Sequence, residues 1–473
     1  MALSVRYVFR RYRRQVWLNP VQPLTAPAFH RKKGSVMQKS KKMGVIQLTT
    51  LTAINMMGSG IILLPANLAS IGTISIFGWI LAALGATLLA YAFSICGMFS
   101  RKGGGMGGYA EYRFGIRGNF VANFTYAISL VIANIAIATG VVSYMTYVFN
   151  WTLSPAGTCL VTLLVLMSAA SISFFGPKAA GKFSTLGISC ILTSIGGLIL
   201  FGWYFFSPSI YMAAWNPSHL PFTAALRDSI AVILWAFLGL ETACANSSAV
   251  ENPEKNVPIA VLGGTLLAGV TYAISTAIIG GLVPYQELMV SHAPFGIAYS
   301  KMFGPVAGTV VSLLLVCSCY VSLTAWQFTI SEVVRSSAVI GHFPSFLKKV
   351  NRFHAPYVAI LLLLLIQSAL ALSTMSPTLL KQFNVLINLA VVINLVPYVL
   401  SMISIRSLLR EEGITGNRAQ TAYIAAFAGT IYSLYAIYGC GWTIISYGVL
   451  CTILGYVISV VKYRHPKVQL AHK

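Results

Sequence analysis

The sequence predicts an all-α polytopic membrane protein with 12 transmembrane helices. Three observations carry that expectation. The 473 residues are 57% hydrophobic and only 9% charged. Apolar runs of about 20 residues, enough to cross a hydrocarbon layer about 30 Å thick, recur along the chain. The basic residues fall on one side of the resulting topology. The two-residue alternation of a membrane β-barrel is not seen.

The runs place spans at about 44–68, 74–99, 119–148, 155–175, 184–206, 228–248, 258–284, 305–333, 357–375, 383–404, 420–438 and 441–461. With the N-terminus inside, the inner loops and C-terminal tail carry 18 Lys and Arg residues, whereas the outer loops carry Arg227, Lys301 and Lys381. That asymmetry puts both termini in the cytoplasm. The net charge of +23 is then mostly a topology signal, and nucleic-acid binding is not needed to explain it. Residues 1–42 form a basic tail with eleven Lys/Arg, no acid, and Pro20, Pro23 and Pro27. It reads as a transit-type leader, as a lipid-binding tail, or as sequence upstream of a true start at Met37 or Met43. The third reading is preferred, because the chain from Met37 onward already makes a membrane protein. Residues 43–463 form the membrane domain and 464–473 a cytoplasmic tail.

Span one contains Asn55-Met56-Met57-Gly58-Ser59-Gly60-Ile61-Ile62-Leu63-Leu64-Pro65. Each glycine weakens a helix by about 1 kcal/mol, so Gly58-Ser59-Gly60 invites unwinding. Unwound backbone cannot face lipid and survives only beside a cavity or ligand. A small-residue packing face is the alternative. Between spans two and three, the loop 100–118 is rich in glycine. It follows no strand and lacks the Lys-Ser/Thr ending of a phosphate loop, so nucleotide binding is rejected. Its glycines permit a tight re-entry, with Glu111 facing either solvent or the cavity. Span six is interrupted at Ala236-Phe237-Leu238-Gly239-Leu240, five spans after span one. Matching interruptions are what two inverted five-span halves produce.

Chemistry narrows to a few groups. Of nine acids, most belong to loops, but Glu241 lies near the middle of span six. A carboxylate at that depth costs about 2.5–3.5 kcal/mol on insertion scales. It would meet a cationic substrate, relay a proton or cap unwound backbone. Glu332 has Arg335 three residues on, a helix-surface pair. Trp79, Trp151, Trp203, Trp215 and Trp442 fall near segment ends as interface anchors. Trp235 and Trp326 lie deeper, where an indole face attracts an ammonium or simply fills the core. The eight cysteines show no metal-type spacing and read as small buried residues. No HExxH, clustered His/Asp set or GxSxG occurs in the spans, so neither an enzyme nor a metal or cofactor is expected. A channel, or a sensor on a transporter scaffold, is the other class.

These motifs resemble the amino acid–polyamine–organocation superfamily, and within it the putrescine–ornithine antiporters of bacteria. The likeness runs from Met37 to the C-terminus. It rests on Asn55–Ile62, Cys96–Lys102, Gly105–Tyr112, Leu234–Glu241, Glu251–Pro258, Trp326–Ile330 and Gln382–Leu386. The resemblance implies a five-plus-five inverted repeat with broken spans one and six, plus two extra helices. It implies substrate contact at Gly58, Ser59, Gly60, Ile61, Trp235, Glu241 and Trp326, with Cys96, Tyr109 and Glu111 as further contributors. The implied partners are putrescine, ornithine, protons and the lipid bilayer of a bacterial inner membrane, with a homodimer allowed. Lysine–cadaverine or arginine–agmatine exchange is the alternative. Two departures stand out. The tail before Met37 is atypical, and Leu454–Ser459 of the last span lacks the expected aromatic character, so no site residue is assigned there.

Overall fold

The computed structural model describes residues 45–46, 49, 53, 56–57, 60–241, 252–373 and 378–463. Gly58, Ser59, the basic tail and the last ten residues lie outside the described residues. Within the described residues the regular structure is helical, without a strand. The principal helices are α1 (Leu64–Leu68), α2 (Ile76–Phe99), α3 (Met106–Phe149), α4 (Pro155–Ser173), α5 (Gly176–Phe205) and α6 (Phe222–Ile233). They continue with α7 (Pro253–Leu282), α8 (Pro305–Ile340), α9 (Tyr357–Ser373), α10 (Leu379–Glu411), α11 (Asn417–Gly439) and α12 (Trp442–Lys462). Among the described residues, nine helices are long and apolar enough to cross a bilayer; α9 adds a shorter apolar helix, Tyr357–Leu372.

The two short members, α1 and α6, are the interrupted spans. Helical geometry reaches Gly60, loosens at Ile61–Leu63 and resumes at Leu64. The described interruption therefore lies after the Gly-Ser-Gly motif. Pro65 stands in the first turn of the resumed helix, where its missing N–H costs nothing. The freed Ile62 carbonyl accepts the Tyr144 hydroxyl of α3 at 2.8 Å. The loosened residues Ile61, Ile62 and Leu63 are buried, as unwound backbone at membrane depth requires. In span six, α6 gives way to a 3-10 turn at Leu234–Phe237, then to extended backbone at Leu238 and Gly239 at φ 110°. A φ of that sign is routine for glycine and strained for any residue with a Cβ.

The two interruptions touch. A Cβ on Gly60 would stand 3.0 Å from the Ala236 Cα and 3.2 Å from its carbonyl oxygen. Around this contact α2 packs on α7 and α3 on α8, and α3 and α10 share the most extensive interface. The apolar window of α3 is 94% buried against 17% for α12, so α3 is the central post and α12 a peripheral one. His342 and Tyr463 share a hydrogen bond of 2.7 Å that ties the end of α8 to the end of α12.

Two expectations are corrected. The segment expected as loop to residue 118 is helical from Met106, with a break at Gly115 (φ 64°). Its charged, glycine-rich composition hides a short polar helix that hydropathy cannot register. Trp79 is not an interface anchor. It is 1% exposed and packs on Tyr272 and Phe237, at ring separations of 5.6 and 6.4 Å. Nearness to a segment end does not reveal which face of the helix a side chain occupies. The Glu332–Arg335 pair is present, at 2.8 Å and about one-third exposed.

The Gly60–Ala236 contact accepts a methyl group only if the Ala236 backbone yields by a few tenths of an ångström. Gly60→Ala should destabilise the protein by about 1–3 kcal/mol, read as a lower melting temperature in detergent. An unchanged melting temperature would show that the two interruptions do not pack this closely.

Candidate functional site

A small cavity, with about 30 Å³ of free room, lies between the interrupted segments and α3, α8 and α10. Its lining is Met56, Gly60, Ser129, Leu130, Ala133, Ile137, Trp235, Leu238, Gly239, Glu241, Trp326 and Asn394. That mixture, mostly apolar with a few convergent polar groups, is typical of small-molecule sites.

Its polar floor is Glu241. Among the described residues Glu241 is the only buried acid. It accepts three hydrogen bonds: from the Tyr126 hydroxyl of α3 at 2.9 Å, from the Gly239 backbone N–H at 3.0 Å, and from the Tyr398 hydroxyl of α10. The turn at Gly239 makes the second bond possible, because it swings the N–H toward a side chain two residues ahead. Hydrogen bonds to a charged group are worth about 1.5–3 kcal/mol each, enough to offset the cost of burying the carboxylate. No Lys or Arg among the described residues lies within ion-pair distance of Glu241. Among the described residues the acid is thus hydrogen-bonded but not neutralised.

Two indoles complete the cavity. Trp235 is 5% exposed and meets Phe383 of α10 edge-on, with ring centroids 6.2 Å apart. Its Nε1 has no hydrogen-bond partner among the described residues. Trp326 comes from α8. An ammonium over either ring gains about 0.5–2 kcal/mol, and a methylene chain packs on the same faces. The arrangement can hold a short aliphatic cation by charge, stacking and shape.

Of the residues singled out from the sequence, Gly60, Trp235, Glu241 and Trp326 meet in this lining. Ile61, Cys96, Tyr109 and Glu111 are not in it. Ile61 is buried in the interruption. Cys96 and Tyr109 are buried near the end of α2 and the start of α3. The Tyr109 ring packs on Phe93, which packs edge-on against Tyr398 at 4.8 Å, so Tyr109 reaches the floor through two rings. Glu111 accepts the Asn119 amide at 2.6 Å, within the polar start of α3. Sequence reasoning missed Tyr126, Ser129, Asn394 and Tyr398. The available signal was spacing: Tyr126 and Ser129 are three apart on α3, Asn394 and Tyr398 four apart on α10, so each pair shares a helix face.

A model of the amino acid permease family matches residues 43–466. The putrescine transporter PotE of Escherichia coli (strain K12) is 51% identical over 420 residues, covering 89% of this chain and 96% of the relative. PotE of Haemophilus influenzae is 51% identical, over 89% of this chain and 97% of the relative. The cadaverine/lysine antiporter of Escherichia coli (strain K12) is 31% identical, over 85% of this chain and 91% of that protein.

Each tyrosine stabilises the buried floor. Tyr398→Phe should lower stability by about 1–3 kcal/mol. Combining it with Tyr126→Phe should depart from additivity, because both donors serve one carboxylate. Thermal unfolding of the single and double variants measures this; strict additivity would mean the two hydroxyls act independently.

Proposed function

Because the chain belongs to the amino acid permease family, we propose that it is a putrescine transporter that exchanges putrescine for ornithine across the bacterial inner membrane. The observation that carries this reading is the Glu241 floor. It is a buried carboxylate held by hydroxyl and backbone donors, with no Lys or Arg partner among the described residues and two indoles in the same cavity. A diamine or basic amino acid supplies the missing charge. The 51% identity to proteins named as putrescine transporters favours putrescine over cadaverine.

The physical steps follow from that floor. Glu241 bonds to α3 and α10 at once, through Tyr126 and Tyr398, and through Gly239 to its own broken span. An ammonium arriving at Glu241 competes for the lone pairs that these groups use. Loosening that three-way tie frees the interrupted segments to move against α3 and α10. An empty carrier keeps the tie and rearranges slowly, so movement is fast only with cargo aboard, which is exchange. The same carboxylate is the group that would hold a proton during proton-coupled putrescine uptake. The N- and C-termini lie in the cytoplasm on this reading, and one diamine leaves for each cationic amino acid that enters.

Putrescine carries two positive charges and ornithine a net one, so each cycle moves one charge. The driving force then changes by about 2.3 kcal/mol, roughly 50-fold in the accumulation ratio, per 100 mV. Vesicles reconstituted with the purified protein and preloaded with ornithine should take up labelled putrescine faster than empty ones. A potential negative inside should raise that uptake. Faster uptake with lysine or arginine inside would assign a different pair, and no effect of any preload would overturn exchange. Glu241→Gln should reduce putrescine transport by at least about tenfold, one lost charge-assisted bond, with insertion intact by membrane fractionation. Retained transport would remove the charge argument.

A further inference from the structure

A second polar pair stands one turn away from the floor, on the same two helices. Ser129 follows Tyr126 on α3 and Asn394 precedes Tyr398 on α10. Ser129 and Asn394 line the cavity, whereas the two tyrosines do not. Both are buried, at 1% and 2% exposure. The Ser129 hydroxyl lies 2.8 Å from the Tyr126 carbonyl oxygen and 3.0 Å from Asn394 Oδ1. It has one proton for these two acceptors. Asn394 Nδ2 has no partner at hydrogen-bond geometry among the described residues, although the Tyr398 hydroxyl is near enough to interact with this amide.

This pair has two self-consistent states. With the hydroxyl proton on Asn394 Oδ1, the amide keeps Nδ2 as a spare donor. With the proton on the Tyr126 carbonyl, the Ser129 oxygen becomes an acceptor. The amide, turned by 180°, then donates to it and keeps Oδ1 as a spare acceptor. The two orientations fill the same space. The pair can therefore offer a ligand either a donor or an acceptor without losing its own internal hydrogen bond.

Its distance from the floor matches a short diamine. Three to four residues along a helix rise about 4.5–6 Å. An extended four-carbon diamine, built from five bonds of about 1.5 Å, separates its nitrogens by about 6 Å. With one ammonium at Glu241, the far end reaches the level of Ser129 and Asn394.

Building on the exchange reading above, we propose that Asn394, held by Ser129, is the specificity-determining residue that reads the far polar end of the ligand. It presents Oδ1 to the second ammonium of a diamine and Nδ2 to the carboxylate of an amino acid. Trp235 Nε1, also without a partner, is a further donor in the same cavity that only the carboxylate-bearing ligand can use. One cavity thus serves a ligand with donors alone and a ligand that also carries an acceptor.

The test uses the full chain in proteoliposomes, with KM measured for 1,4-diaminobutane and for ornithine. Asn394→Asp offers acceptors only. It should raise the KM for ornithine at least about tenfold relative to that for the diamine, since a site lacking the matching donor rejects the ligand that needs it. Asn394→Ser, whose hydroxyl both donates and accepts, should lower affinity for both ligands and keep their ratio. On the unaltered protein, n-butylamine lacks the second polar end and should compete at least about tenfold more weakly than the diamine. A wild-type ratio in Asn394→Asp, or equal competition by the monoamine, would overturn the assignment. Absence of any exchange by the unaltered protein would instead overturn the exchange reading, and this subsite with it.

Discussion

A buried carboxylate with no cationic partner among the described residues is the constraint on which the rest of this structure depends. The carboxylate is buried, so little water shares its charge, and α3 and α10 each deliver a hydroxyl to it. That demand fixes which faces of the two helices meet. It also requires a donor from the broken span itself, supplied at Gly239. A continuous helix would have bonded that N–H to a carbonyl four residues back. Breaking the helix is what turns its backbone toward the acid. The interruption and the charge are therefore one device.

The packing follows the same logic at larger scale. With no hydrophobic drive between helices in lipid, close approach depends on small residues and on polar ties. Gly60 against the Ala236 backbone is such an approach, and the Tyr144 hydroxyl on the Ile62 carbonyl is such a tie. Together they hold unwound segments that would be costly in hydrocarbon. The most buried of the nine long apolar helices, α3, supplies Tyr126, Ser129 and Tyr144. It touches the acid, the cavity wall and the first interruption within a single rigid element.

Much of this was legible in the sequence, and the reasons are physical. Lipid enforces long apolar runs, so most spans could be read directly. An acid inside such a run is expensive, which singled out Glu241, and deep tryptophans beside it were equally conspicuous. The polar helix from Met106 was not legible, because hydropathy records only what the bilayer requires and not what continues beyond it. Trp79 was misjudged because position along a run carries no information about which side faces neighbours. Tyr126, Ser129, Asn394 and Tyr398 were silent for another reason. Uncharged polar residues are cheap enough to be common in spans, and their spacing gains meaning only when two helices are set face to face.

Gly239 has one more implication. Its φ of 110° belongs to the half of conformational space that L-residues avoid and D-residues prefer. At this point the backbone acts as a chirality filter. A D-alanine introduced by semisynthesis suits the torsion, whereas its mirror image opposes it. Genetic drift, confined to L-residues, has glycine alone to work with here unless the neighbouring acid changes in the same step.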